Sequence, residues 1–288
     1  MAALVSLSIE SLQFSVIPGR DASLSDLLTN SLGGAIGAGA AMHWRHILSP
    51  PPRLARAVSL AAAAVTLGVL ATTAALLRPA IPPMGLWGQW TPQKLRFEPY
   101  SGAVHTFQIN GIAVPYGLVP ESDTLRARLL TGQTRAHVEF TAGRPTSRLS
   151  AIARVGSTFQ EVLFLGAEEN DLVFRTRLAV RDWKLRYPGI VLRSAFPPEG
   201  QPAVAEAGLR DRHWYATVIT AKGATSRSVP FAVSLGWTFL LPFDHALSPA
   251  DAGISALWLA LLAFPAAYWG ACGGTARRRR RTPRDGFN

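Results

Sequence analysis

The sequence predicts membrane α-helical segments plus an all-β sandwich domain. Three features carry this reading: two uncharged apolar runs of spanning length, arginines just outside them, and a stretch of short β-favouring runs between them. The apolar runs are Ala57–Leu77, bounded by Arg53, Arg56 and Arg78, and Gly253–Gly274, which leads directly into an arginine cluster. Each reaches the length of about 20 apolar residues that a bilayer-crossing helix requires. Pro265 lies inside the second run, where a membrane tolerates it better than water does.

Bulk composition agrees. The mean hydropathy is +0.17, with 48% hydrophobic and only 16% charged residues, more apolar than a single soluble core usually is. The net charge of +11 does not indicate nucleic-acid binding. Six arginines, Arg277 to Arg281 and Arg284, fall at the end of the chain beside an apolar run. That placement is a cytoplasmic anchor obeying the positive-inside rule, with the lipid bilayer as partner. The single cysteine, Cys272, excludes an intrachain disulfide and any cysteine-based metal site.

Two weaker membrane candidates precede these. Leu24–Met42 is rich in Gly and Ala but contains Asp26 and Asn30, and Met1–Ile17 is interrupted by Glu10 and Gln13. Without a basic start, and with Glu10 late in the run, Met1–Ile17 does not read as a cleaved signal peptide. The predicted order is therefore membrane helices in 1–42, a cytoplasmic loop 43–56, a spanning helix 57–77, an external β domain 87–230, a segment 231–243, a spanning helix 253–274 and a cytoplasmic tail 275–288. His43–Arg56 carries three arginines, which sets the orientation. Phe231–Phe243 is short for a crossing and reads as interfacial or re-entrant, with Trp237 and Phe243 near the headgroups.

Candidate strands are His105–Ile112, Thr124–Leu130, Ala136–Thr141, Leu149–Val155, Gln160–Leu165, Leu172–Leu178, Gly189–Leu192 and His213–Ile219. Gly, Pro, Asn and Asp separate them, and Glu168-Glu169-Asn170-Asp171 reads as a turn. No stretch shows helical period, which favours an all-β sandwich.

Residues 8–39 resemble the C-terminal half of the VanZ-like membrane domain. The resemblance lies in Glu10-x-x-Gln13, Pro18-Gly19-Arg20, Ser23, Asp26, Asn30 and the glycines Gly33, Gly34 and Gly37. VanZ-like domains have further membrane helices ahead of this motif, whereas here Met1 lies just before it. The middle segment resembles a concanavalin A-like (laminin-G-type, jelly-roll) sandwich of the kind appended to such domains. That likeness rests on strand spacing, the hairpin around residues 160–177 and the run Arg212-His213-Trp214. Together they imply a bacterial cell-envelope role, one branch of the family being linked to glycopeptide resistance.

The polar set Glu10, Gln13, Arg20, Asp26 and Asn30 is the leading candidate for chemistry. Glu10 and Gln13 are three apart and Asp26 and Asn30 four apart, so each pair shares a helix face. Ionisable groups within membrane segments mark a polar path or a buried pair. Structural pairing of Glu10, Arg20 and Asp26 is the simpler explanation. Gly33, Gly34 and Gly37 suit close helix packing. In the β region Arg175, Arg177, Trp183 and Trp214 form a candidate ligand surface for an anionic glycan or phospholipid. An exposed arginine face and aromatic core packing are the plainer readings. The acidic turn lacks the alternating spacing of a calcium loop. His43 and His46 lack a third ligand nearby, so no metal is predicted, and no motif implies a cofactor or a catalytic residue. Two functions remain open: an envelope protein whose β domain binds a glycan or another envelope component, such as a membrane-protein partner, or a membrane enzyme or transport-like factor acting on a lipid-linked substrate.

Overall fold

The structure, a computed structural model, describes residues 33–35, 37–92, 97–157, 160–186, 188–241 and 245–279, with side chains to residue 274. The chain divides into two compact units, Met1–Ala64 with Ala263–Asn288, and Val65–Leu262. Among the described residues two helices are long and apolar enough to cross a membrane: α2 (Pro52–Leu76), which follows the short α1 (Trp44–Leu48), and the apolar part of α4, Asp251–Gly274. At 1.5 Å per residue they measure about 36–38 Å, longer than a hydrocarbon core of about 30 Å. Almost none of their apolar residues are buried, and Leu60, Leu67, Leu257, Leu261 and Phe264 are more than half exposed. Helix α2 starts five residues before the apolar run because Pro52 suits the first helical position, with Ala55 N donating to Pro51 O at 2.9 Å. A shorter apolar helix covers Gly33–Met42.

In the first unit, small residues and backbone carbonyls hold the helices together. Ser59 Oγ donates to Ala266 O at 2.7 Å, and Arg56 Nη2 donates to Gly273 O at 3.3 Å. A Cβ at Gly273 would fall 2.8 Å from Arg56 Cγ, so glycine is what permits this approach. Tyr268 OH and Trp269 Nε1 donate to Leu48 O and Ile47 O, both at 2.7 Å, which satisfies carbonyls left open at the end of α1.

In the second unit, thirteen strands among the described residues form two sheets. The seven-stranded sheet has the order β13-β9-β8-β7-β6-β1-β4. Its members are β1 (Trp87–Trp90), β4 (Gly117–Leu118), β6 (Thr146–Gly156), β7 (Glu161–Glu169), β8 (Asp171–Thr176), β9 (Gly189–Leu192) and β13 (Ala246–Leu247). The six-stranded sheet runs β12-β11-β10-β5-β2-β3, from β2 (Ala103–Ile109), β3 (Ile112–Ala113), β5 (Thr134–Thr141), β10 (Pro202–Arg210), β11 (His213–Thr220) and β12 (Gly223–Pro230). Among the described strand pairs only β13–β9 is parallel. One apolar core joins the sheets: Ile152, Val155, Leu163, Leu165 and Phe174 of the first share it with Phe107, Val138, Phe140, Ala205, Trp214 and Val218 of the second. This is the two-layer packing expected of a sandwich.

Strand β5 shows the logic of burial. Thr134, Ala136, Val138 and Phe140 are buried, while Arg135, His137, Glu139 and Thr141 face outward. The middle strands of the seven-stranded sheet are covered on both faces, because Ala151, Phe164 and Val173 form a second small cluster with Phe97, Leu149 and Val191 on the outer side. The acidic turn is a tight hairpin in which Glu168 pairs with Asp171 across Glu169 (φ 53°) and Asn170. Two of its oxygens are used internally: Asp171 Oδ1 accepts from Ser194 N at 2.8 Å and Asn170 O from Ala195 N at 2.8 Å.

Two expectations are corrected. Thr124–Leu130 is helix, not strand: α3 (Ser122–Leu130) buries Leu125 and Leu129, four apart on one face. It ends at Gly132 (φ 77°), whose N–H donates to Leu129 O at 3.2 Å. Strands β1, β4, β10, β12 and β13 lie outside the candidate strands. Three of the four inward positions of β10, Ala203, Ala205, Ala207 and Leu209, are alanine, a residue of low β-propensity, and edge strand β12 is mostly polar and exposed. In the segment 231–243, Trp237 is covered. It lies in a 3-10 turn, Val233–Leu240, that packs across the end of α2 and the start of α4. Its Nε1 donates to Ser255 Oγ at 3.1 Å, the partner a buried indole requires. Gly236 sits against Thr73, where a Cβ would fall 2.8 Å from the hydroxyl.

Tyr100 supplies a pH test of the core. It is buried and accepts from Gly143 N at 3.1 Å, and burial pushes its hydroxyl up to about 12. Against 10.0 for an ordinary tyrosine, the folded state holds this proton more tightly than the unfolded chain does. The resulting stability is complete below pH 10 and is lost as pH rises toward 12. Tyr100→Phe is expected to flatten this alkaline loss in unfolding curves, and an unchanged curve would remove the assignment.

Candidate functional site

The predicted membrane set Glu10, Gln13, Arg20, Asp26 and Asn30 lies outside the described residues. Of the packing glycines, Gly33 and Gly37 are exposed and Gly34 half-buried. An added Cβ at Gly33 or Gly37 meets nothing within 4 Å.

The candidate surface of Arg175, Arg177, Trp183 and Trp214 is not one surface. Trp214 is fully buried, stacked on Phe231 (centroids 5.0 Å apart, planes at 7°) and edge-on to Phe174 at 6.4 Å. It belongs to the core because its inward register on β11 faces the other sheet. Arg177 is only 7% exposed and forms an ion pair with Asp182, in a cleft of about 520 Å3 lined also by Ala80–Met84, Leu130 and Gln160. Arg175 is half-buried, its stem over Gly189. Cross-strand register places Phe164 between Arg154 and Arg175, and buried Arg154 lies 3.6 Å from Glu161. Trp183 alone is strongly exposed.

The polar cluster that the fold does assemble is on the outer face of the six-stranded sheet. Register brings Gln108, His137, Glu206 and Thr217 into one row, and Thr106, Glu139, Val204 and Ile219 into the next. Arg135 grips Glu206 with two bonds, Nη2 to Oε1 at 2.5 Å and Nε to Oε2 at 3.3 Å. His137 bridges two carboxylates, with Nδ1 3.0 Å from Glu206 and Nε2 3.6 Å from Glu139. Thr106 Oγ1 donates to the other oxygen of Glu139 at 3.0 Å. The hydrogen bond from Arg135 and the His137 contact hold the Glu206 carboxyl below the usual range. The same bond raises Arg135. Burial, with the Glu206 charge, raises neighbouring Tyr215, whose ring lies under the Arg210 guanidinium at 5.5 Å.

A groove of about 410 Å3 adjoins this cluster, lined by His105, Glu139, Val204, Ile219, Thr220 and their neighbours. Glu139 belongs to both. The groove is within the size range of small-ligand sites and offers an apolar floor with a few polar groups, the usual build of such sites. Among the described residues no His, Cys, Asp or Glu group is arranged to hold a metal ion. The alternation Arg135-x-His137-x-Glu139 was visible in the sequence. Glu206 was not, because its strand was unrecognised and its partners lie some seventy residues away.

A second cavity, about 270 Å3 and mostly apolar, lies between β12, the 3-10 turn and the first turns of α4, with Asp251 and Ser255 in its wall. Asp251 accepts from Ser248 N at 2.7 Å, reaching back to the start of its own helix, and lies 3.0 Å from His245 Nε2. These contacts account for its burial.

No family model, curated protein or solved structure matches the chain.

Proposed function

We propose that the chain is an integral membrane protein of the cell envelope whose β domain binds an envelope saccharide on the outer face of its six-stranded sheet. The observation that carries this is the groove sharing Glu139 with the Arg135–His137–Glu206 cluster. Fixed carboxylates accept hydrogen bonds from sugar hydroxyls, Arg135 keeps Nη1 to donate beyond its two bonds to Glu206, and Ile219 offers an apolar floor; charge-assisted bonds of this kind are the strong ones. The two apolar helices are the membrane part of the proposal, with α2 and α4 crossing and the β domain outside, as the arginine-rich loop and tail favour. The VanZ-like and concanavalin A-like resemblances support the envelope setting.

The full chain in neutral detergent is expected to retain saccharides from a panel that includes peptidoglycan fragments. Glu139→Gln and Glu206→Gln should each weaken retention about tenfold or more, as expected for loss of a bond worth about 1.5–3 kcal/mol. Retention of no saccharide, or variants that bind like the parent, would overturn the saccharide assignment. Release from membranes by alkaline washing would overturn the integral-membrane assignment.

A further inference from the structure

We propose that the loop Trp183–Arg186, with Arg78, is a collar that binds anionic phospholipid headgroups on the β-domain side of the bilayer. The proposal rests on the reading of α2 as a spanning helix and names what meets the chain where that helix emerges.

The placement follows from backbone contacts. Helix α2 ends at Leu76, and Arg78 follows within two residues. The carbonyl of Arg78 accepts from Ala179 N at 2.8 Å, Pro79 bridges with Leu178, and Ala80 N donates to Arg177 O at 3.3 Å. The segment after β8 is therefore clamped to the helix end. It forms a 3-10 turn, Ala179–Trp183, whose root is fixed by fully buried Val180 and by the Arg177–Asp182 ion pair. Lys184 takes a left-handed conformation (φ 57°), with its N–H on Arg181 O at 3.1 Å. The chain is thus turned outward at its tip in a defined way.

What the tip displays is unusual for a water-facing loop. Trp183 is 73% exposed and Leu185 38%, while Leu240, at the end of the turn that packs on α2 and α4, is 72% exposed. Parallel pairing of β13 with β9, and the bond from Gly189 N to His245 O at 2.9 Å, bring the chain on either side of these residues together. An indole, an aliphatic side chain and long cationic side chains in one loop and the adjoining helix end are the composition that settles at a membrane–water interface. Arg78 and Lys184 are exposed there, and the carboxylate of Asp182 is engaged by Arg177. The excess of positive charge selects anionic over zwitterionic lipid, by roughly fivefold for each cation near the surface.

The test uses the full chain reconstituted into phosphatidylcholine nanodiscs with and without phosphatidylglycerol, followed by native mass spectrometry of the lipids that remain bound. The parent is expected to retain phosphatidylglycerol preferentially. The Arg78→Gln/Lys184→Gln double variant should lose roughly 25-fold in that preference, with near-ultraviolet circular dichroism unchanged. Equal preference in parent and variant, with both inserted, would overturn the collar. A parent that fails to insert at all would overturn the membrane reading on which the collar depends. If the double variant misfolds, brominated phosphatidylglycerol is compared with brominated phosphatidylcholine as a quencher of the parent and of Trp183→Phe. Stronger quenching by phosphatidylglycerol in the parent, reduced in Trp183→Phe, supports the collar; equal quenching by the two lipids sinks it.

Discussion

Trp214→Ala is expected to destabilise the β domain by about 3–5 kcal/mol, the range for emptying a large aromatic site in a core. Trp214 touches both layers: it stacks on Phe231 at 5.0 Å and meets Phe174 of the opposite sheet edge-on at 6.4 Å. Its neighbours are held on strands and have little freedom to close a cavity. Among the described residues the buried indole Nε1 has no hydrogen-bond partner, a state that itself costs about 1–3 kcal/mol. Trp214→Phe therefore removes volume but also removes an unsatisfied donor, and it should cost far less than alanine. Denaturant unfolding of the full chain in detergent, followed by near-ultraviolet circular dichroism, measures both. If the alanine variant unfolds at the parent's midpoint, or phenylalanine costs as much as alanine, the core assignment of Trp214 is wrong.

Gly208→Ala should be about as damaging, near 3 kcal/mol, for the opposite reason. Gly208 lies in the middle of β10, paired to Arg135 on one side and Tyr215 on the other. A Cβ there would fall 1.7 Å from Thr134 O and 2.6 Å from Thr134 C. The obstacle is backbone, so no rotamer change can relieve it, and β5 and β10 must separate or shift. Because Arg135, His137 and Glu206 lie on those two strands, the same substitution should also weaken saccharide retention. A variant with parental stability would show that the two strands can spread at little cost.

Legibility in the sequence followed the range of the determining contacts. The turn at Glu168–Asp171 and strands such as Gly189–Leu192 depend on near neighbours, and both were readable. Thr124–Leu130 was misread because Thr-Leu-Arg-Ala-Arg-Leu-Leu alternates like a strand, while the four-residue spacing of Leu125 and Leu129 decides which face is buried. The same alternation puts Arg175 and Arg177 on one open face. The strand ends at Thr176, so Arg177 turns instead toward Asp182.

The candidate site was harder still. Nothing local marks Glu206 as the partner of Arg135 and His137, since β5 and β10 become neighbours only through the sheet order. The exposure of Trp183 and the burial of Trp214 were equally undecided, both being tryptophans in short aromatic-rich runs. By itself the sequence determined two uncharged apolar runs flanking a β-rich region, because hydropathy over twenty residues needs no knowledge of packing. Only the tertiary structure decided which polar groups meet and which aromatics are covered, because cross-strand register joins residues that the chain keeps far apart.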